Sequence, residues 1–489
     1  MHRILVRLFL VLVVIWCSSS SVAGSQQNAR GKSKPNILFI VVDDLRPEIG
    51  CYGTRARTPN LDRLAASGLL FDRAYCNQAV CGASRVAMMT SLYPEHTGER
   101  TYHVTGWRKR WAHIVTLNQL LKTNGYVAVG LGKVYHGTKG PGVDPENWTR
   151  WITVGGQGYA TKASRMAKRK NSRGRGPSTE SADVPDDTYP DGNRAKVGAA
   201  QIYQLVKAGK PFFLAVGFTK PHLPFVAPKK YWDLYERNKF AMPTNRGVPP
   251  GYPQYARNVN AGELRAYSDI PKKGAPADFS DVLNKRLLHG YHACVSYTDH
   301  NIGILLDALQ KSGAADNTIV IVVADHGWKL GDHSSWCKHT NFECDARVPL
   351  IIRHPGMHSA KGRTKALAEL VDLYPTVCDL CRLDKPKHVQ GMSLIGVLKN
   401  PKGTHREFAY SSYPHGRGKK MKGVTGHSIR TPKYRYTEWW EKGTDKVVTS
   451  VLTNIEVDTG ETTAVKGMTE FKRMLSSKLK KRVVSVRKK

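Results

Sequence analysis

Four short apolar runs, each stopping abruptly at ionisable residues, constrain this chain more than any other feature. They are NILFIVV (36–42), followed by Asp43 and Asp44, and YVAVGLG (126–132), followed by Lys133 and, three residues on, His136. The others are PFFLAVGF (211–218), followed by Lys220 and His222, and TIVIVVA (318–324), followed by Asp325, His326 and Gly327. The runs are rich in β-branched residues and do not alternate with polar ones. That predicts strands buried on both faces of a helix-covered, mostly parallel sheet. The intervening NLDRLAASGLLF (60–71), TLNQLLKTNGY (116–126) and KRLLHGYHACVSYTDHNIGILLDALQKSG (285–313) read as amphipathic helices, often closed by glycine. In such sheets ligands bind beyond the carboxyl ends of the strands. One aspartate there is commonly a helix cap. Four clusters of Asp, His and Lys at one edge read as a site.

Asp43, Asp44 and Asp325 offer three carboxylates with no thiolate partner close in sequence, a set that favours calcium or magnesium over zinc. His326 is softer and leaves room for a transition metal. Lys133, Lys338, His136 and His222 supply cations and proton donors around such an ion, which suits a sulfate or phosphate ester. AVCGASRVAMMTSLYP (79–94) sets Cys81 at the start of a predicted helix, with Arg85 one turn further on. A helix N-terminus favours developing negative charge. Cys81 is therefore either an anion-handling nucleophile or the partner of Cys51 or Cys76 in a disulfide. His333, His339 and Lys220 flank the motifs, as structural or rim residues or as substrate contacts.

The chain has 489 residues, enough for a large domain and a smaller one. Arg3 and Arg7 precede an apolar run from Leu8 to Trp16 and then CSSSSVAGS, a secretory signal pattern over residues 1–24 that is too short to span a bilayer. No later stretch is apolar enough to span, so the mature protein is expected to be exported and not an integral membrane protein. Of nine cysteines the signal removes Cys17. Cys378 and Cys381 lack the second pair a zinc site needs, and Cys337 and Cys344 are too loosely spaced. The formal charge of +36 concentrates at residues 161–176 and 471–489. These are either solvated surface or attractors of polyanions. An exported chain without a nucleic-acid module points to an acidic polysaccharide rather than nucleic acid. Asn147-Trp148-Thr149 is a glycosylation sequon, meaningful only in a eukaryotic secretory pathway.

CGASR (81–85) resembles the formylglycine signature of the type I sulfatases, Cys-x-Pro/Ala-Ser-Arg, and MMTSLYP resembles the helix that follows it. PNILFIVVDDLRPEIGCYG, GKVYH, KPHLPF, ADHGWKLGDHSSWCKHTNFECDARVPLI, ELVDLYPT and GHSIRTPKYRYTEWW are similar to the same family, most of all its iduronate-2-sulfatase branch. The likeness runs from about residue 34 to about 460. It implies an α/β fold: an alkaline-phosphatase-like large mixed sheet flanked by helices, over residues 33–402. A smaller antiparallel C-terminal sheet and basic tail would follow over 403–489. It also implies that Cys81 becomes 3-oxoalanine (formylglycine) through a maturation enzyme. One Ca2+ would be held by Asp43, Asp44, residue 81, Asp325 and His326. By the same likeness Arg85 and Lys133 hold the formylglycine. Asp325 is the base for the attacking hydroxyl of its hydrate, Lys338 and His222 reach the sulfate and leaving oxygen, and His136 takes the proton when sulfate is expelled.

The expected activity is hydrolysis of O-sulfate from a sulfated saccharide, with a 2-O-sulfated uronic acid as the substrate this branch suggests. Ala83 stands where the commonest signature has proline, which makes maturation depend on the host enzyme. Ser91 replaces a frequent glycine. Two other readings of the same residues are a phosphodiesterase or phosphonate monoester hydrolase of the same superfamily, and a non-catalytic binder of sulfated glycans. The retained metal and lysine set speaks against the binder.

Overall fold

The computed structural model describes residues 34–487, apart from 103, 105, 172, 259, 273–278 and 416–422. The signal segment at 1–24 lies outside the described residues. All four apolar runs form strands: β1 (Asn36–Asp43), β3 (Val127–Gly132), β5 (Phe212–Pro221) and β6 (Thr318–Ala324). With β2 (Leu69–Tyr75), β4 (Arg150–Ile152), β7 (Arg347–Val348), β8 (Leu350–Arg353) and β9 (Gly362–Glu369) they build one nine-stranded sheet. Its order is β7-β2-β8-β6-β1-β5-β3-β4, with β9 paired parallel to β2 off this path.

The block β6-β1-β5-β3-β4 is entirely parallel, so its carboxyl ends share one edge. Strand β8 runs antiparallel to both β6 and β2, which returns β2 to the direction of β6. The segment leaving β2 toward Cys81 therefore reaches that same edge. Every residue of β6, and all of β1 but Asn36, is buried, as two covered faces require. Covering helices include α2 (Pro190–Lys207) and α3 (Asp281–Lys311), which pack on each other.

NLDRLAASGLLF departs from its helical reading. The helix spans Pro59–Ser67, and Leu69, Leu70 and Phe71 open β2 instead. Gly68 approaches the backbone of β8 so closely that an added Cβ would sit 2.9 Å from the Ile352 carbonyl oxygen, so the chain turns there into the sheet.

A second sheet is an antiparallel meander of β10 (Ala409–His415), β11 (Val424–Arg430), β12 (Tyr434–Glu441) and β13 (Val447–Asn454). The C-terminal helix Thr469–Arg487 packs on it through Leu475, Leu479, Val483 and Val486, against Ile429, Tyr436 and Trp440. Those four positions follow the helical repeat. The meander touches the segment before Cys81 directly, because Ser412 N donates to the Asn77 carbonyl at 2.9 Å. Asn77 Nδ2 answers by donating to the Tyr410 carbonyl at 3.1 Å. Residues 35–489 cluster as one unit.

Candidate active site

Cys81 is the first residue of a helix running to Thr90, here α1. Its thiol lies 3.3 Å from His326 Nε2. All eight cysteines among the described residues are free thiols, so Cys81 is in no disulfide with Cys51 or Cys76. One turn along α1, the fully buried Arg85 guanidinium donates to Asp43 Oδ1 (3.1 Å) and Asp325 Oδ2 (2.9 Å). It also donates to the Lys133 and Val134 carbonyls. Arg85 thus ties α1 to the ends of β1, β3 and β6 together.

Adjacent carboxylates at a strand end normally point to opposite faces. Asp44 avoids this by adopting a left-handed φ of 58°, which Asp tolerates better than most residues. Its backbone N–H donates to Asp325 Oδ1 at 3.2 Å. Lys338 Nζ donates to both Asp44 oxygens, at 2.8 and 3.1 Å, and lies 4.9 Å from the Trp328 ring centroid. Lys338 sits between two residues in the left-handed region, Cys337 (φ 71°) and His339 (φ 88°).

Lys133 follows Gly132, whose φ of +74° and contact with Gly217 (2.1 Å from a built Cβ to its carbonyl oxygen) admit only glycine. Lys133 Nζ is paired with Asp43. Burial works against the charged form of Asp43, but Lys133, His222 and Arg85 hold its carboxyl well below the usual carboxylate range. For Asp44, burial prevails over Lys338 and the pKa rises to about 7. Cys81 is pushed well above the ordinary thiol value by burial and then by Asp43.

His222 has acceptors at both ring nitrogens: the Leu223 carbonyl at 2.7 Å from Nδ1 and Glu263 Oε1 at 2.9 Å from Nε2. Burial, then Lys133 and Lys338, lower its pKa. His136 is half-buried, its Nδ1 has no partner among the described residues, and burial with Lys133 lowers its pKa to about 3. That holds the imidazole neutral at neutral pH.

The flanking residues divide. Lys220 Nζ donates to the His222 and Pro224 carbonyls, both at 2.6 Å, and so shapes the loop that carries His222. His333 stacks on Phe342 at 4.1 Å, and His339 Nδ1 is 3.3 Å from Asn258 Nδ2. One site residue escaped the sequence reading. Glu263 contacts His222 and also lies 3.2 Å from Lys338 Nζ. It comes from an irregular loop, NAGELRAYS (260–268), with no strand or motif to mark it.

Potential ligand atoms of Asp43, Cys81, Asp325 and His326 all lie within 4.8 Å of one another, as do those of Asp44, Cys81 and His222. Two carboxylates and an imidazole thus meet beside Cys81, with Asp44 in the second, overlapping group, a donor set that fits a hard divalent cation. Arg85, Lys133 and Lys338 ring these groups and offer cations to an anionic ester.

A carboxylate cluster able to hold a cation at the carboxyl edge of such a sheet, ringed by lysines and arginine, suits a hydrolase of anionic esters. Comparison with known proteins narrows this. The sulfatase family model matches residues 35–383, and the model of the N-sulphoglucosamine sulphohydrolase C-terminal region matches 331–489. The chain is 33% identical to human iduronate 2-sulfatase, covering 86% of this chain and 88% of that one. It is 30% identical to a sulfatase of Formosa agariphila, covering 90% and 85%. Among solved structures it is similar to BT4656 in complex with its substrate D-glucosamine-2-N,6-O-disulfate (TM-score 0.71, 22% identity, 93% of this chain and 98% of that one). The Agrobacterium radiobacter phosphonate monoester hydrolase shares the fold (TM-score 0.67, 22% identity, 93% and 95%). The chain belongs to the sulfatase family and is a sulfuric ester hydrolase. No helix among the described residues is long and apolar enough to cross a membrane.

Proposed function

We propose that this enzyme is an exported, calcium-dependent sulfatase that removes O-sulfate from a sulfated saccharide, using formylglycine made from Cys81. The observation that carries this reading is the placement of Cys81. It begins a helix, touches His326, and is ringed by three carboxylates and three cations. A buried thiol held neutral is a poor nucleophile. The site is built for an anion, and the thiol does not suit it.

Asp43, Asp44, Asp325 and His326, with residue 81, would hold Ca2+, which when bound polarises sulfate oxygens as a Lewis acid. Formylglycine, as its hydrate, supplies two hydroxyls on one carbon. Arg85 and Lys133 orient that side chain. Asp325 would serve as the base for the hydroxyl that attacks sulfur in line and displaces the alcohol. Lys338 and His222 bind the sulfate and assist the departing alcohol oxygen. His136 would take up the proton of the second hydroxyl as the C–O bond to sulfate breaks and the aldehyde re-forms, the bound anion opposing the burial and Lys133 charge that lower its pKa.

Cys81 is only 2% exposed, so a maturation enzyme would have to reach CGASR before the chain folds. The test is mass spectrometry of the residue-81 peptide from protein taken from its native export route, with activity measured alongside. Formylglycine is expected, together with turnover that a chelator abolishes and Ca2+ restores. An unmodified thiol in active protein would overturn the mechanism.

The substrate reading is a 2-O-sulfated uronic acid, supported by the likeness to iduronate 2-sulfatase. Basic surface near the site supports a polymeric form of it. The helix Lys162–Lys170 is followed by a turn whose Asn171 donates to the Ala266 carbonyl at 2.9 Å, and Arg175 lies 5.6 Å from the Tyr267 ring centroid. Both partners belong to the loop that carries Glu263. Replacing the exposed Lys168, Arg169 and Lys170 with glutamine is expected to raise KM for a sulfated polymer about tenfold, by loss of electrostatic attraction. KM for a small aryl sulfate is expected to stay within about twofold, since that molecule is too small to reach the helix. Equal losses on both would remove the helix from substrate binding.

A further inference from the structure

Glu263 has no place in the roles described so far, yet it sits among the groups that would grip the sulfate. Its two oxygens contact His222 Nε2 at 2.9 Å and Lys338 Nζ at 3.2 Å, one each. Its side chain is 23% exposed, so it stands at the mouth of the cluster rather than beneath it. The backbone fixes it there. Glu263 caps the short helical turn Leu264–Ala266, and Arg265 N donates to the Ala261 carbonyl at 3.0 Å. Lys338 is held from its other side by Asp44, and Trp328 lies against it. Lys338 therefore does not need Glu263 to be held in place.

The charges in the cluster balance in a telling way. Asp43, Asp44, Asp325 and Glu263 contribute four carboxylates, against the fixed cations Arg85, Lys133 and Lys338. Whatever the state of the imidazoles, Glu263 makes the slot one unit less positive than it would be without it. A sulfate monoester carries one negative charge. A phosphate monoester carries nearly two at neutral pH, because its second pKa is about 6. A slot more positive by that one unit would suit the dianion better.

We propose that Glu263 is a specificity-determining residue that sets the charge of the anion slot, favouring sulfate monoesters over phosphate monoesters of the same alcohol. It does so by placing a fixed negative charge beside the two groups, Lys338 and His222, that receive the ester oxygens. The extra charge on phosphate meets a carboxylate within a few ångströms in a partly desolvated site, where Coulomb repulsion is only weakly screened. This is discrimination by repulsion, which costs the correct substrate less than the wrong one. The inference rests on the proposed roles of Lys338 and His222.

The test uses the matured holoenzyme with 4-nitrophenyl sulfate and 4-nitrophenyl phosphate, which share a leaving group, at pH 8. For Glu263→Gln the ratio of kcat/KM for phosphate to that for sulfate is expected to rise about tenfold or more. For Glu263→Asp, which keeps the charge, the ratio is expected to stay within about threefold of wild type. The ratio is insensitive to the fraction of enzyme folded or matured, so a poorly folding variant does not mimic the result. An unchanged ratio in Glu263→Gln, with both activities lowered alike, would show a purely structural role and overturn the proposal. So would an equal shift in Glu263→Asp. If wild type turns over 4-nitrophenyl sulfate but Lys338→Ala and His222→Ala leave its KM and kcat untouched, the roles beneath the proposal fail as well.

Discussion

Replacing Cys81 with alanine is expected to lower steady-state sulfatase turnover by at least about 10^4-fold, the scale of losing a nucleophile that its neighbours serve as a unit. Asp43, Asp325 and His326 surround this one side chain, with Arg85 and Lys133 acting on it electrostatically, and none of them offers a substitute hydroxyl. Cys81→Ser is the more informative variant. A serine presents one hydroxyl, so it can accept the sulfuryl group but has no second hydroxyl on the same carbon from which His136 could take a proton. Release of at most one equivalent of alcohol per enzyme is expected, followed by arrest. Sustained multiple turnover by Cys81→Ser, at more than a hundredth of the wild-type rate, would remove formylglycine from the mechanism. Both substitutions are small and leave the ties of Arg85 intact, so melting temperatures should stay close to wild type. Loss of activity with an unchanged melting curve separates a chemical role from a structural one.

Much of the fold was legible because burial on both faces leaves a plain mark. NILFIVV and TIVIVVA could be little else than central parallel strands, and the residues that end them had to fall at one edge. The convergence of Asp43, Lys133, His222 and Asp325 follows from that rule alone. LLF at 69–71 was harder. A short apolar run after a helix carries no period, and only its pairing with Ile351 and Ile352 decides that it is a strand. Glu263 was illegible for a different reason. It reaches the site from a loop whose path is set by tertiary contacts, and an isolated glutamate in NAGELRAYS has the pattern of a surface residue. Ser91 gained meaning only in three dimensions. It holds a left-handed φ of 58° at the end of α1, where glycine would be unstrained. Its hydroxyl offsets the strain by donating to the Val371 carbonyl at 2.6 Å and accepting from Gly391 N at 3.0 Å.

The largest stability effect is expected away from the chemistry, at Arg406. This guanidinium is nearly inaccessible and joins Glu369 Oε1 (2.9 Å) to Asp372. Glu369 also accepts from Asn77 Nδ2 (2.9 Å) and Tyr410 N (2.9 Å). Asp372 accepts from Glu369 N and Met392 N, both at 2.8 Å. The network thus links the end of β9, the segment before Cys81 and the first strand of the small sheet. Arg406→Ala leaves two carboxylates buried, with His405 remaining as a potential cation 3.3 Å from Asp372. Removing one partner of a buried pair costs about 3–5 kcal/mol, a fall in Tm of roughly 3–5 °C for a chain of this size. The pH dependence distinguishes this cause from simple loss of packing. Burial raises the Asp372 pKa, but Arg406 and His405 outweigh it and hold the carboxyl below its ordinary value. Its stabilising contribution in wild type is therefore complete above the unfolded value of about 4 and is lost only as pH falls through the lowered folded one. In Arg406→Ala burial acts with far less opposition and the carboxyl shifts upward, so its penalty is largest at neutral pH and is relieved by protonation. The Tm difference between the two proteins should shrink steadily from pH 7 toward pH 4. A difference that stays constant across that range would mean that Arg406 contributes packing and not charge.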